Sequence, residues 1–487
     1  MARIPDLRRM TSEREILLQH VAEGRNFDTA VKQLDPQPHK NHLGQDILGL
    51  FRTHEHRKAV IADNWLLKQF QAAGLEVPSF LEAGPREDLH HDPHKVNVAI
   101  VTTGGLAPGL HRVVHSIVKR HDLYDNKGKV LGVYNSFEGL RNLTDNKVPL
   151  TPKMTEEWLY DGGSKLGNVR GGQKDDNELE LLVRDITGNL TRHKINILYV
   201  IGGDGSLKVA HELALANPTR SIVGIPKTMD NDLLWVWQSF GFNTAVERAT
   251  RVINILRSEA ESTRRICVIE LFGAEAGFVA ANAALASGHV DLVLIPEVFD
   301  ALSVDQARQY LDDVIRHVEE RVQERDHTPH AVVVMAEGAG AVLEGKKAKL
   351  KDREVKKADF CDYLRDELKK RVHDARDKEI EVFTNQPRHH IRAVPANAHD
   401  QIYCERLGAL AVDNALGGYT DFMISQWLAE FVLVPLSLVG EGKKKIPIPG
   451  MFWKQVVSST GQPLSPAERT RPLDVEDDGK NRRQAKR

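Results

Sequence analysis

The feature that most constrains the fold is a series of short, continuous apolar runs, each followed closely by glycine, a carboxylate or a basic residue. The runs are Val96–Thr102, Ile195–Ile201, Ile222–Ile225, Ile266–Leu271, Leu292–Ile295 and Ala331–Met335. Such runs, alternating with helix-like segments, are typical of a parallel sheet that is covered on both faces. Ligands of these sheets bind at the carboxyl ends of the strands. The sequence therefore predicts an α/β protein with a polar site along that edge.

Composition limits the partners and the compartment. A formal net charge of −2 gives no global attraction to nucleic acid or to a membrane, so we expect neither as a partner. The three cysteines, Cys267, Cys361 and Cys404, form no CxxC pair, which argues against a disulfide framework. No apolar run approaches the roughly 20 residues that span a bilayer. The N-terminus lacks the apolar stretch of a secretory signal, and we expect a cytoplasmic protein.

The chain is long enough for two or more domains, since it has 487 residues. Helical spacing of apolar residues in Glu13–Val21 and Val60–Phe70 predicts a separate helical lead-in. The predicted parts are a helical N-terminal extension (1–94), a first α/β domain (95–240), a second α/β domain with an interleaved boundary (241–440), and a C-terminal segment with a disordered charged tail (441–487).

Two glycine-rich turns follow predicted strands. Glycines at 104 and 105, and again at 202 and 203, let the backbone approach a phosphate group, and a following helix N-terminus favours an anion. In the second turn Asp204 can hold Mg²⁺ directly or through water. Ser206 can donate to a phosphate oxygen. The alternative interpretation is a helix start that Asp204 or Ser206 caps.

The segment Pro226–Asp232 is the sharpest chemical signal. It places Lys227 and Thr228 before two acids, Asp230 and Asp232, at the end of a predicted strand. One carboxylate can accept a proton from an attacking hydroxyl, and the other can serve a metal ion. Lys227 can neutralise charge on a transferring phosphoryl group. The alternative is a solvated turn.

Six segments resemble, in the same order, the motifs of the phosphofructokinase family. They are Gly104–Gly109, Gly162–Arg170, Gly202–Ser206, Pro226–Asp232, Met335–Gly338 and Ile391–Pro395. The resemblance covers roughly residues 95 to 440. It implies two Rossmann-like parallel-sheet domains, the first for the phosphoryl donor and the second for the sugar phosphate. It also implies an enzyme that phosphorylates the 1-hydroxyl of fructose 6-phosphate with ATP and Mg²⁺.

The resemblance implies a role for individual residues. Asp230 would be the general base, with Lys227, Thr228 and Arg170 as further catalytic residues, and Asp204 would bind Mg²⁺. The implied donor-site residues are Gly104, Gly105, Arg170, Gly203, Gly205 and Ser206. The implied substrate-binding residues are Thr228, Asp230, Asp232, Arg265, Phe272, Gly273, Glu337, His389 and Arg392. Arg265 would reach the sugar phosphate from a neighbouring subunit, which implies a homo-oligomer.

The identity of the donor depends on two positions that disagree. In the family, an acid after the motif aspartate is associated with pyrophosphate use, and here Gly205 stands at that position. Lys227, in contrast, matches the pyrophosphate pattern. Members with this glycine and this lysine resemble ATP-dependent enzymes. We therefore predict ATP, with pyrophosphate as the alternative.

The chain departs from the family pattern at two further positions. Ala274 stands where the family has an arginine that stabilises the transferring phosphoryl group, and Phe383 stands about where the family tends to place a basic residue for the sugar phosphate. These departures leave three alternatives open: rescue by another basic side chain, another phosphosugar as acceptor, or a low-activity regulatory or binding homologue. NAD⁺ kinase-like proteins share the GGDG turn but lack the second acidic motif. A dehydrogenase would need a GxGxxG turn that the sequence lacks.

Overall fold

The structure is a computed structural model that describes residues 12–35, 39–43, 58–169, 176–344 and 357–470. These residues divide into two compact units. Unit 1 comprises the described residues up to Ala245 together with His389–Lys444, and unit 2 comprises Val246–Arg388 and the described residues from Lys445 onward. The chain therefore enters unit 2 at Val246, returns to unit 1 for 56 residues (389 to 444), and enters unit 2 a second time at Lys445.

The strands of the described residues are, in chain order, β1 (Lys32–Gln33), β2 (His39–Lys40), β3 (Lys58–Val60), β4 (Ser79–Glu82), β5 (Asp88–Leu89), β6 (Val98–Thr102), β7 (Val130–Val133), β8 (Lys147–Pro149), β9 (Ile197–Gly202), β10 (Ser221–Pro226), β11 (Ile266–Leu271), β12 (Leu292–Leu294), β13 (Ala331–Ala336), β14 (Val382–Asn385), β15 (Tyr419–Thr420), β16 (Phe422–Trp427) and β17 (Glu430–Pro435).

The α-helices of the same residues are α1 (Glu13–Glu23), α2 (Asn64–Ala72), α3 (Leu110–Leu123), α4 (Ser136–Arg141), α5 (Pro152–Glu156), α6 (Asp176–Arg192), α7 (Asp204–Ala216), α8 (Phe242–Thr263), α9 (Phe278–Ser287), α10 (Pro296–Asp300), α11 (Val304–Glu324), α12 (Lys357–Arg371), α13 (Arg388–Arg392), α14 (Ala398–Leu416), α15 (Met451–Thr460) and α16 (Pro466–Thr470). In the part of the chain that the structure describes, no helix combines the length and the apolarity that crossing a bilayer requires.

Unit 1 is built on a nine-stranded mixed sheet with the order β3-β4-β17-β16-β10-β9-β6-β7-β8. The five strands from β16 to β7 are parallel, whereas the pairs at both ends are antiparallel. Every residue of β6, β9 and β10 is buried, because helices cover both faces of the central strands. The predicted parallel sheet is confirmed here. The antiparallel strands at both of its margins were not predicted.

Within residues 1–94, the part that the structure describes is not a separate helical lead-in. The predicted helices are present as α1 and α2. However, β4 pairs with β17, and β3 pairs with β4, so the N-terminal residues extend the sheet of unit 1. A covered sheet edge removes unpaired backbone groups, which is the physical reason for this arrangement. The extension also packs into the core, since Phe27 and Phe80 both contact the buried ring of Trp235.

Unit 2 contains a four-stranded parallel sheet with the order β12-β13-β11-β14. Its strands β11 and β13 are fully buried, as their continuous apolar runs predicted. The C-terminal segment is ordered further than expected. Glu468 lies in the segment for which the sequence predicts a disordered charged tail, yet it is buried and accepts a hydrogen bond from the indole N–H of Trp453 at 2.7 Å. Residues 471–487 lie outside the described residues.

Candidate active site

Three neighbouring parallel strands of unit 1 end at the same edge of the sheet. In the register of the sheet, Pro226 of β10 lies opposite Gly202 of β9, and Ile201 lies opposite Thr102 of β6. The backbone N–H of Lys227 donates to the carbonyl of Gly202 at 2.8 Å. The glycine-aspartate turn and the acidic corner, which are distant in sequence, therefore meet as predicted.

Lys227 is directed toward the first glycine turn. Its side chain is buried, and its ammonium donates to the carbonyl oxygen of Gly105. Gly104 has a φ of 80°, which favours glycine, and a Cβ atom there would lie 3.3 Å from Nζ of Lys227. The missing side chain at 104 thus leaves the approach to this ammonium open.

The second turn leads directly into α7. Gly203 is the N-cap residue and makes no side-chain cap, so Asp204 and Ser206 lie within the first turn. The alternative in which either of them caps the helix is therefore wrong. The hydroxyl of Ser206 donates to that of Thr103 at 3.4 Å. A Cβ atom at Gly205 would meet nothing within 4 Å. The N–H groups of this helix start suit an anion.

The acidic corner is held by short local hydrogen bonds. Thr228 Oγ1 donates to Asp232 Oδ1 at 2.7 Å and accepts from the backbone N–H of Asp230 at 3.2 Å. Between the two acids, Asn231 adopts a left-handed conformation with a φ of 56°, and its Oδ1 accepts from the N–H of Ser239 at 3.0 Å. Asp232 is buried, whereas Asp230 is only half-buried. The corner is consequently not a solvated turn.

Lys443 joins the turn to the corner, and sequence reasoning missed it. Its ammonium lies 2.6 Å from Asp232 Oδ2 and 3.4 Å from Asp204 Oδ2. Burial alone would raise the pKa of Asp204, but the charge of Lys443, the N–H of Gly205 and the charge of Lys208 together lower it. The sequence feature that could have indicated Lys443 is a run of three lysines, 443 to 445, after an apolar segment.

The next residue, Lys444, fixes the same stretch of chain. Its backbone N–H donates to the carbonyl of Asp232 at 3.0 Å. Its buried ammonium donates to Asn231 Oδ1 at 3.2 Å and to the carbonyls of Val236 and Trp237 at 2.6 and 3.1 Å. Burial lowers the pKa of Lys444 to about 8. Lys444 thus anchors the segment that presents Lys443 to the carboxylates.

The carboxylates at this edge suit Mg²⁺. Among the described residues, no group of three or more histidine, cysteine or acidic side chains is placed to hold a metal ion. Mg²⁺, however, usually needs only one or two carboxylates, because waters and substrate phosphates complete its octahedron. Asp204 and Asp232 already converge on one cationic group, Lys443. The donor set therefore fits a magnesium ion that arrives with phosphate ligands.

Three predicted substrate residues lie together in unit 2. Phe272 and Gly273 follow β11, and Glu337 follows its parallel neighbour β13. The backbone N–H of Glu337 donates to Leu271 O at 2.9 Å, and that of Gly338 donates to Gly273 O at 3.0 Å. These residues therefore share one edge of the second sheet.

Arg265 precedes β11 and lies at the opposite end of this strand. It is exposed. Within unit 2 it is consequently not close to the Phe272–Glu337 edge, since six residues of strand span roughly 20 Å. The contribution that it would make from a neighbouring subunit stays a prediction.

The remaining predicted residues occupy other places. His389 and Arg392 belong to unit 1, on the short helix α13, where His389 is exposed. Arg170 lies outside the described residues. Of the two departures from the family pattern, Ala274 follows Gly273 in the turn after β11, with its carbonyl packed against Gly338. Phe383 lies in β14, opposite Cys267.

Comparison with known sequences gives one family. The sequence model of phosphofructokinases matches residues 97–415. The ATP-dependent 6-phosphofructokinase of Amycolatopsis methanolica is 35% identical over 412 residues, which cover 82% of this chain and 86% of that protein. The ATP-dependent 6-phosphofructokinase of Borreliella burgdorferi is 36% identical over 398 residues, which cover 79% of this chain and 85% of that protein.

Solved structures agree on the architecture. A pyrophosphate-dependent phosphofructokinase from Marinobacter aquaeolei superimposes with a TM-score of 0.58 at 18% identity, covering 78% of this chain and 94% of that chain. Phosphofructokinase from Pichia pastoris gives a TM-score of 0.57 at 22% identity, covering 71% of this chain and 35% of that chain. At these identities the likeness shows the fold alone.

Proposed function

Because the chain belongs to the phosphofructokinase family, as its ordered motifs predicted, we propose that it transfers the terminal phosphoryl group of ATP to the 1-hydroxyl of fructose 6-phosphate. The observation that carries this proposal is the meeting of the turn 202–206 with the corner 226–232 around two lysines, Lys227 and Lys443. Phosphoryl transfer requires this combination of an open phosphate site, cations and a carboxylate base.

Asp230 is the proposed general base. It lies at the corner without being fully buried, and its backbone is held by Thr228. Thr228 in turn donates a hydrogen bond to Asp232, so the three residues form one hydrogen-bonded group. A carboxylate at this place accepts the hydroxyl proton as the sugar oxygen attacks phosphorus. Thr228 and Asp232 keep it oriented and contribute to substrate binding.

The donor site is assigned to the glycine turns. Gly104, Gly105, Gly203 and Gly205 let the phosphates approach the backbone, and Ser206 supplies a hydroxyl at the start of α7. Lys227 spreads the charge of the transferring group, and Arg170 belongs to the same assignment. Two relatives named as ATP-dependent enzymes and the open space at Gly205 favour ATP over pyrophosphate.

Asp204 is the proposed protein ligand of Mg²⁺. When bound, this ion neutralises charge on the donor phosphates and helps to hold them in line with the acceptor. Asp204 lies at the start of a helix and keeps 37% of its side chain exposed, so it can exchange its present contact for a metal ion.

Fructose 6-phosphate binding is assigned to the residues that the family motifs imply. The assigned residues besides the corner are Arg265, Phe272, Gly273, Glu337, His389 and Arg392. Arg265 lies at the end of β11 that is opposite to Phe272 and Gly273. This placement supports the proposed homo-oligomer, in which Arg265 binds the sugar phosphate in the site of a neighbouring subunit.

The proposal is tested by assaying the purified protein with fructose 6-phosphate and Mg²⁺, with either ATP or pyrophosphate as donor. We expect turnover with ATP and a fall in kcat of about 10²- to 10⁴-fold in Asp230→Asn, because the base is lost while its shape is kept. Turnover with pyrophosphate alone would overturn the choice of donor. Absence of turnover with both donors, alongside intact ATP binding, would leave a binding homologue instead.

A further inference from the structure

We infer that Lys443 bridges Asp204 and Asp232 in the ligand-free protein, that it competes with a metal ion for Asp204, and that it releases this carboxylate when the metal–nucleotide complex binds. Its ammonium is in contact with both carboxylates, at 3.4 and 2.6 Å. This inference rests on the proposed function for the identity of the nucleotide. The competition between the ammonium and a metal ion is a property of the protein alone.

Two carboxylates from different parts of the fold need a shared cation at this place. Asp204 begins α7, whereas Asp232 follows β10, and Lys443 is the cation that bridges them. Like charges at short range raise the free energy of the folded protein unless a cation separates them. Lys443 therefore keeps the cleft assembled before any ligand arrives.

The two contacts are unequal, and the inequality identifies which one is released. Asp232 is buried, and its other oxygen is already bonded to Thr228. Asp204 is more exposed than Asp232, at 37% against 11% of the side chain, and its contact with Lys443 is longer by 0.8 Å (3.4 − 2.6). Lys443 thus stays on Asp232 and yields Asp204, the carboxylate that faces solvent and can accept a metal ion.

The backbone around Lys443 can stay fixed while its ammonium leaves Asp204. Lys444, the next residue, is anchored by its backbone N–H and by its buried ammonium. The long side chain of Lys443 is the part that can move, since its flexible stem lets the ammonium shift while the chain stays fixed. A free metal ion must displace this ammonium unaided. A nucleotide-bound metal ion brings phosphates that attract the displaced ammonium, so the structure favours joint entry of metal and nucleotide.

The experiment measures Mn²⁺ binding without nucleotide, by electron paramagnetic resonance of free Mn²⁺ in titrations of the full-length protein. Lys443→Met keeps the apolar stem and removes the charge, so we expect Mn²⁺ affinity to rise about tenfold. Lys443→Gln, which retains a hydrogen-bond donor for Asp232, should show the same rise if the methionine variant folds poorly. Lys443→Arg retains the charge and should stay within about twofold of the wild type.

Lys208→Met is the matched control. Lys208 is exposed, lies one turn beyond Asp204 on α7 and also lowers the pKa of Asp204 through its charge. An equal rise in Lys208→Met would show a general charge effect and overturn the inference. So would unchanged affinity in both Lys443→Met and Lys443→Gln.

A double variant localises the effect. In an Asp204→Asn background, Lys443→Met should change Mn²⁺ affinity by less than about twofold, because the contested carboxylate is gone. A full tenfold rise in that background would contradict the inference. Since no step uses turnover, a protein inactive with both donors but with the expected Mn²⁺ behaviour would lose the proposed function and keep this inference.

Discussion

Replacing Glu441 by glutamine is expected to stabilise the protein at neutral and mildly alkaline pH but not in acid. Glu441 follows the short 3₁₀ turn Leu436–Gly440 and lies two residues before Lys443. Its Oε2 atom is buried and lacks a hydrogen bond of ordinary geometry among the described residues. Burial raises the pKa of Glu441 from 4.5 to about 7, and the hydrogen-bonding effect of the Trp235 side chain opposes this rise only in part.

The direction and the size of the pH effect on the free energy of unfolding follow from this raised pKa. Between pH 4.5 and about 7 the folded protein holds a proton that the unfolded chain has released, so the free energy of unfolding falls as pH rises through that window. The pKa of Glu441 in the folded protein lies about 2.5 pH units above that in the unfolded chain (7 − 4.5), and at about 1.36 kcal/mol per pH unit the lost free energy of unfolding has an upper limit of ~3.4 kcal/mol. Screening by solvent, which reaches part of this side chain, reduces the expected effect to about 1–2 kcal/mol.

Urea-induced unfolding, followed by circular dichroism, measures the effect at about pH 5 and about pH 8. Glutamine is neutral at both values, so the advantage of Glu441→Gln over the wild type should be small at about pH 5 and reach about 1–2 kcal/mol at about pH 8. Because the variant and the wild type share all other groups that titrate between these pH values, the difference between their free energies of unfolding reports Glu441 alone. An advantage of equal size at both pH values, or its absence at the higher one, would refute the reasoning.

Gly205→Asp should raise the KM for ATP at least about tenfold in steady-state assays, because its carboxylate enters open space beside the proposed donor phosphates and repels them. Gly205→Ala is the control, and equal KM values for both variants would contradict the donor assignment. Arg120→Met should lower the free energy of unfolding by about 3–5 kcal/mol, because two hydrogen bonds of 2.7 and 2.8 Å hold the buried Asp413. The exposed ion pair between Arg141 and Asp185 offers the comparison, because Arg141→Met should lower the free energy of unfolding by less than about 1 kcal/mol in the same urea titration. Similar losses in both variants would refute the distinction between the buried and the exposed ion pair.

Local patterns were sufficient for the central strands. The run Ile266–Leu271 has the same bounds as β11, and the runs before residues 202 and 226 became β9 and β10. Continuous apolar residues can be satisfied only when both faces of a strand are covered, so these runs identify themselves without tertiary information. The short strands β3 and β4 are too short for such a continuous apolar run, and the sequence therefore indicated only the helices beside them.

The candidate site was predictable wherever strand ends define it. Parallel strands put their carboxyl ends at one edge, so the turn after β9 and the corner after β10 had to meet once the strands were adjacent. Lys443 was not predictable in this way. It lies 211 residues from Asp232 in the sequence, and it reaches the corner because residues 389–444, which include β16 and β17, return the chain to unit 1.

The amino-acid sequence by itself determined the parallel strands, the order of the phosphate-binding and acidic motifs, and the family, because each depends on residues that are close together along the chain. Only the tertiary structure decided that residues of the N-terminal extension add strands to the sheet and that Lys443 bridges Asp204 and Asp232. These features depend on pairings across long stretches of chain. Such pairings are selected by the burial and hydrogen bonding of the whole sheet, which no local pattern encodes.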